Sequence, residues 1–162
     1  MPTPISELIT QAIATQLATI TTANGYEFSV ADVIRPRLLG DVTPLADRLW
    51  LIENEIVRDP ESDSHSGTSG LYGYILAVSV IICIAPMETG STSIGELTQI
   101  RVADVIKAMM AGPQWSGRAD DTEPIGLVSI DHEAEPNYAL ARVDFDIRFR
   151  VVVDDPYTGT AF

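Results

Sequence analysis

The chain has 162 residues, of which 46% are apolar and 20% charged, proportions that suit one globular domain and exclude a collagen-like, fibrous or disulfide-stapled chain. Ten basic residues against twenty-three acidic ones leave a formal charge of −13 at pH 7, and Lys107 is the single lysine among the ten. An acidic excess of this size repels phosphate, so nonspecific binding to nucleic acid or to an anionic membrane is disfavoured.

From the N-terminus, residues 4–20 place Ile5, Leu8, Ile9, Ala12, Ile13, Leu17 and Ile20 at the three-and-four spacing of an amphipathic helix. Thr3 is expected to cap it with Pro4 at the first helical position, and Asn24–Gly25 to stop it. The start lacks the basic region and long apolar run of a signal peptide. Residues 28–37 read as a first strand that Pro36 confines to an edge or an end. Residues 49–57 read as a second. The composition then turns to Asp, Glu, Ser and Gly over 58–70, which predicts a long, exposed, mobile loop. β-branched and aromatic residues return over 71–85, so this stretch is expected to form a buried strand in a hairpin with 49–57, the loop being its tip. It is too short for a membrane helix. The one cysteine, Cys83, lies in that apolar run and reads as a buried small hydrophobe.

A second helix is predicted over 94–110, where Ile94, Leu97, Ile100, Ala103, Ile106, Met109 and Met110 recur at helical spacing before Gly112–Pro113. Ser93 or Ser91 is available as its cap, with Glu96 in the first turn, and the two methionines read as core filling. A strand is expected over 125–131. The clearest alternation in the chain then puts Ala139, Ala141, Val143, Phe145, Ile147, Phe149, Val151 and Val153 on one face, and Leu140, Arg142, Asp144, Asp146, Arg148, Arg150 and Val152 on the other. Asp154–Asp155–Pro156 is expected to stop this strand, leaving 157–162 as a tail. The order α-β-β-β-α-β-β predicts a single α+β domain, with two helices on one face of a largely antiparallel or mixed sheet.

Chemistry is sparse in this pattern. His65 falls in the polar loop, and His132 lies between Asp131 and Glu133, whose side chains point to the opposite face of a strand from its own. Asp59, Glu61 and Asp63 begin like a calcium loop, but Ser64 and Gly70 stand where such a loop needs Gly and Glu. Gly90 to Glu96 has the two-glycine spacing of a phosphate loop with Glu96 in place of the lysine, and an acid there repels the anion. No Gly-x-Ser-x-Gly elbow is present. Neither a metal nor a cofactor is expected. The row Arg142, Asp144, Asp146, Arg148, Arg150 reads either as a solvated face with cross-strand ion pairs or as a subunit interface whose charge order fixes partner and register.

In layout the chain resembles the tail-terminator, or tail-completion, proteins of tailed bacteriophages, small neck proteins that cap the tail tube. The resemblance rests on the first helix, Val33–Ile34–Arg35–Pro36, the hairpin ending in 71–85, the second helix, Gly112–Pro113–Gln114–Trp115, and the closing strand 141–150 followed by Asp154–Asp155–Pro156. It implies a non-enzymatic ring, typically a homohexamer, that binds the last tail-tube ring, stops polymerisation and offers a docking surface to the head-side connector. The family has no catalytic residues to carry over. The ring would sit in the virion neck after assembly in the host cytoplasm, and its acidic lumen would pass genomic DNA without specific binding. On this resemblance Arg142, Asp144, Asp146, Arg148 and Arg150 are the candidate subunit or partner interface. Asp59, Glu61, Asp63 and His65 form a candidate contact loop, a departure from the family layout, and Asp154, Asp155 and Tyr157 a C-terminal contact. The alternatives are a head-side connector or stopper protein and, from another class, a small oligomeric enzyme using Asp131, His132 and Glu133 with the 59–65 loop.

Overall fold

The first helix, α1 (Ile5–Leu17), buries Ile5, Ile9, Ile13 and Leu17, the face that the spacing predicts. A computed structural model describes residues 2–35, 48–66, 69–84, 93–135, 138–153 and 155–159, apart from the side chains at 65, 66, 69, 127–135, 138 and 159. Pro36, Ala85, the 90–92 segment with Ser91, Asp154 and 160–162 lie outside these residues. Two boundaries of α1 differ from expectation. Pro4, not Thr3, occupies the cap, with extended ψ and no side-chain bond. The helix also ends at Leu17, because the β-branched run after it tightens into short-range bonds from Thr19 N–H to the Gln16 carbonyl and from Ile20 N–H to that of Leu17. Gly25, at φ +82°, closes a 3-10 turn at Thr22–Asn24 instead of α1.

Among the described residues of the strand expected over 28–37, β1 (Asp32–Ile34) is the part that forms. The residues before it are held elsewhere: Phe28 is buried in the core, and Val30 N–H bonds the Ile20 carbonyl at 2.8 Å. β1 lies parallel to the start of β2 (Arg48–Arg58), which bulges between Glu53 and Glu55 and pairs antiparallel with β4 (Ser69–Ile84) as the predicted hairpin.

The hairpin tip is more ordered than a plain loop. It folds into a 3-10 turn at Pro60–Ser62 and a short strand, β3 (Ser64–Ser66), paired on β4. Asp63 anchors it by accepting from both terminal nitrogens of Arg58, at 2.5 and 2.6 Å, and from Gly73 N–H at 2.9 Å. The tip lies so close over Gly73 that a Cβ there would stand 2.5 Å from the Asp59 carbonyl oxygen and 2.5 Å from Ser62 Cβ. Tertiary pairing therefore overrides the local composition.

The second helix, α2 (Ile94–Met110), has the predicted bounds and cap, with Glu96 N–H bonding Ser93 Oγ at 3.2 Å. Its buried face is rotated from the predicted one: Thr98, Arg101, Val102, Asp104, Val105, Ala108 and Met109 point inward, whereas Ala103 and Met110 are exposed. Arg101 and Asp104 belong inside because they satisfy backbone groups there. Arg101 donates to the Cys83 carbonyl at 3.1 Å, and Asp104 accepts from Glu27 N–H at 2.7 Å. Cys83 is fully buried, as expected. Among the described residues no helix is long and apolar enough to cross a membrane.

After α2 the chain turns through Trp115, Ser116 and Gly117 at positive φ, with Trp115 buried and its indole N–H on Thr122 Oγ1 at 2.7 Å. β5 (Asp121–Glu135) is longer than the predicted 125–131 and holds Pro124 at the sheet edge, where no further strand is described to need its missing donor. β6 (Tyr138–Val152) carries the long alternation, and Ala139 through Val151 at every second position are buried. The expected tail instead begins with β7 (Asp155–Gly159), which folds back onto β6. The sheet runs β1-β2-β4-β6-β5, with β3 paired on β4 and β7 on β6. Both helices cover the face that presents Leu49, Val80, Phe145 and Ile147, completing the α+β domain.

Candidate protein–protein interface

On the opposite face, Arg142, Asp144, Asp146, Arg148 and Arg150 project from β6 in one row, all half-buried. Ladder register places Ile81, Ser79, Ala77, Ile75 and Gly73 of β4 beside them in that order. The result is a charged strip flanked by half-buried apolar side chains, with Val57 44% exposed beyond Ile75 and Ile125 57% exposed on β5.

Buried Ser79 organises one end of the strip. Its hydroxyl donates to Asp144 Oδ1 at 2.5 Å and accepts from Asn54 Nδ2 at 2.7 Å, and Arg142 Nε donates to Asp144 Oδ1 at 2.7 Å and to Ser79 Oγ at 3.1 Å. At the other end Arg150 holds both carboxylate oxygens of Asp120, at 2.7 and 2.6 Å, in the bidentate geometry that fixes a guanidinium. Arg148 stands 3.4 Å from Glu123.

Asp146 is different. It has no hydrogen-bond or ion-pair partner among the described residues, and burial pushes its carboxyl above the ordinary range. Arg148 opposes that shift, while Glu123, Asp144 and Glu55 add to it. Register explains the neighbours: Glu55, Ala77, Asp146 and Glu123 lie in one row across four strands.

The other predicted positions whose side chains are described do not join this strip. Asp63 is tied to Arg58, and Asp59 accepts the Ser62 hydroxyl, so the resemblance of 59–63 to a cation loop is broken by these local bonds. Glu61 is exposed on the 3-10 turn, and the backbone of His65 pairs with Gly70. Asp155 accepts the Tyr157 N–H at 3.0 Å, and bonds from the Thr158 side chain and that N–H hold its carboxyl below the usual range; Tyr157 is exposed. Asp131, His132 and Glu133 lie on β5 with side chains outside the description. Among the described residues no three His, Cys, Asp or Glu side chains gather so as to hold a metal ion. Among the described residues, recesses of about 280 Å³ lie around Gly112–Gly117 and beside Tyr72, Tyr74, Val151, Val152, Asp155 and Pro156. Neither includes a residue of the strip.

Asn54, Ser79 and Asp120 escape the sequence reading. Ser79 alone leaves a trace, as the polar interruption of an apolar strand. No protein-family pattern matches the chain, and no curated protein matches it either.

Proposed function

We propose that the chain is a structural subunit of a phage neck, a tail-terminator-like protein that assembles as a ring, caps the tail tube and presents a docking surface to the head-side connector. One observation carries this reading: both helices cover one face of the sheet, and the central strand β6 carries an ordered row of half-buried charges on the other. Rigid extended strands hold such charges in register, as recognition between protein surfaces requires. The fold keeps the order of helix, strands, helix and strands on which the resemblance rests, with β3 and β7 in addition. In a six-fold ring the excess of acids would be multiplied around the DNA path and would let DNA pass without adhering.

Light scattering behind a size-exclusion column, with negative-stain images of the protein alone and mixed with tail-tube protein, tests the proposal. Rings of about six copies that stop tube growth are the expected outcome. A protein that neither forms rings nor limits tube length overturns it, and binding to connector proteins without binding to tubes would assign it to the head side.

A further inference from the structure

Two charges in the strip are without full local partners among the described residues, and they have opposite sign. Arg142 is held through Nε by Asp144 and Ser79, its side chain is 43% exposed, and none of the described residues accepts from its terminal Nη1 and Nη2. Asp146, without a partner among the described residues, lies four residues further along the same face of the same strand, about 13 Å away at the usual rise. Arg150, by contrast, is bound at both ends to Asp120, and Arg58 and Arg35 are occupied by Asp63 and by Glu7 with Glu53.

A cation and a carboxylate, each without a full partner among the described residues, at fixed separation on one strand make the strip complementary to itself. Turned about a two-fold axis through Asp144, the row is brought antiparallel to itself, with position 142 opposite 146 and position 146 opposite 142. Each Asp144 then lies on the axis, already neutralised by its own Arg142 and Ser79. Leu140 faces Arg148, which has Glu123 beside it. Ile75, Ala77 and Ile81 of β4 supply apolar surface along one side of the strip, suited to sheet-on-sheet packing at about 10 Å.

We propose that two copies of this chain pair face to face through β6, the Arg142 guanidinium of each receiving the partner's Asp146 about a two-fold axis at Asp144. The pairing rests on reading the strip as an interface between copies. Its two-fold symmetry separates it from the head-to-tail contacts that close a polar ring, so it belongs to the free protein.

Sedimentation velocity on the full chain tests it by charge exchange. Wild type is expected to dimerise with concentration, and Arg142→Glu and Asp146→Arg each to weaken the dimer by at least about tenfold, since each sets like charges opposite one another. An equimolar mixture of the two variants is expected to restore the dimer, because a mixed pair has opposite charges at both contacts; this restoration also shows that both variants fold. Wild type that stays monomeric or forms only rings, variants that dimerise like wild type, or a mixture that restores nothing overturns the pairing. Should Arg142→Glu unfold, as circular dichroism would show, Arg142→Gln with Asp146→Asn replaces the pair, and undiminished dimerisation of that double variant overturns the proposal. Exchange-sensitive dimers that never form rings or cap tubes would leave the pairing intact and remove the ring; rings that cap tubes but ignore these substitutions would do the reverse.

Discussion

Asp104 accepts the backbone N–H groups of Glu27 at 2.7 Å and Phe28 at 3.3 Å from the buried side of α2, fixing the segment that leads into β1. Asp104→Ala strands both donors, one of them buried, and is expected to lower stability by about 2–3 kcal/mol, read from a urea midpoint. Sequence periodicity could not see this residue, nor Arg101, because a polar side chain scores as surface until its backbone partner is known. Glu7 gives a second test. The Arg35 guanidinium holds its carboxyl down to about 2, from an ordinary value of 4.5. The folded state thus binds this proton less readily than the unfolded one, so the pair's contribution is present above pH 4.5 and fades as pH falls towards 2. Both side chains are about a third exposed, and solvent screening limits the effect to about 1 kcal/mol. Glu7→Gln is expected to remove that much stability at pH 7 and to flatten acid unfolding between pH 4.5 and 2, measured by circular dichroism.

Elements with a periodic pattern or cap signal of their own were legible, whereas strands that form only on a partner's edge were not. The bounds and cap of α2 follow from Ser93, Glu96 and Gly112, and Ser93→Ala is expected to cost about 1 kcal/mol in thermal or urea unfolding. The alternation of β6 likewise announced a strand, and with it the row of site residues. By contrast, β3 and β7 consist of residues that favour turns locally and become strands only by pairing with β4 and β6. Gly73 reports this directly, because its missing side chain is what lets the hairpin tip settle on β4. Gly73→Ala is expected to lift the tip and cost about 2 kcal/mol or more, with hydrogen exchange rising first at 60–66.

For the molecule as a whole, a charge of −13 opposes compaction, and salt screens that repulsion as the Debye length falls from about 30 Å at 10 mM to about 8 Å at 150 mM. The melting temperature is therefore expected to rise over this range in scanning fluorimetry, although individual ion pairs weaken. The fold class was readable because the order of helices and strands sets the layering; which acids and bases meet across the sheet was not, since that depends on register and bulges. The central pairing of β4 with β6 also determines how the chain must find its structure. Residues 71–84 meet 139–152 across the whole of α2 and β5, whereas the β2–β4 and β5–β6 hairpins close locally. Each hairpin can form early, but the helices have no complete face to cover until the two are joined. Joining them is the slow, entropically costly step, on the millisecond-to-second scale of sheet-rich domains. Until then the inner edges of β4 and β6 stand open, and a nascent chain is most exposed to aggregation through the two strands that later lie at the centre of the sheet.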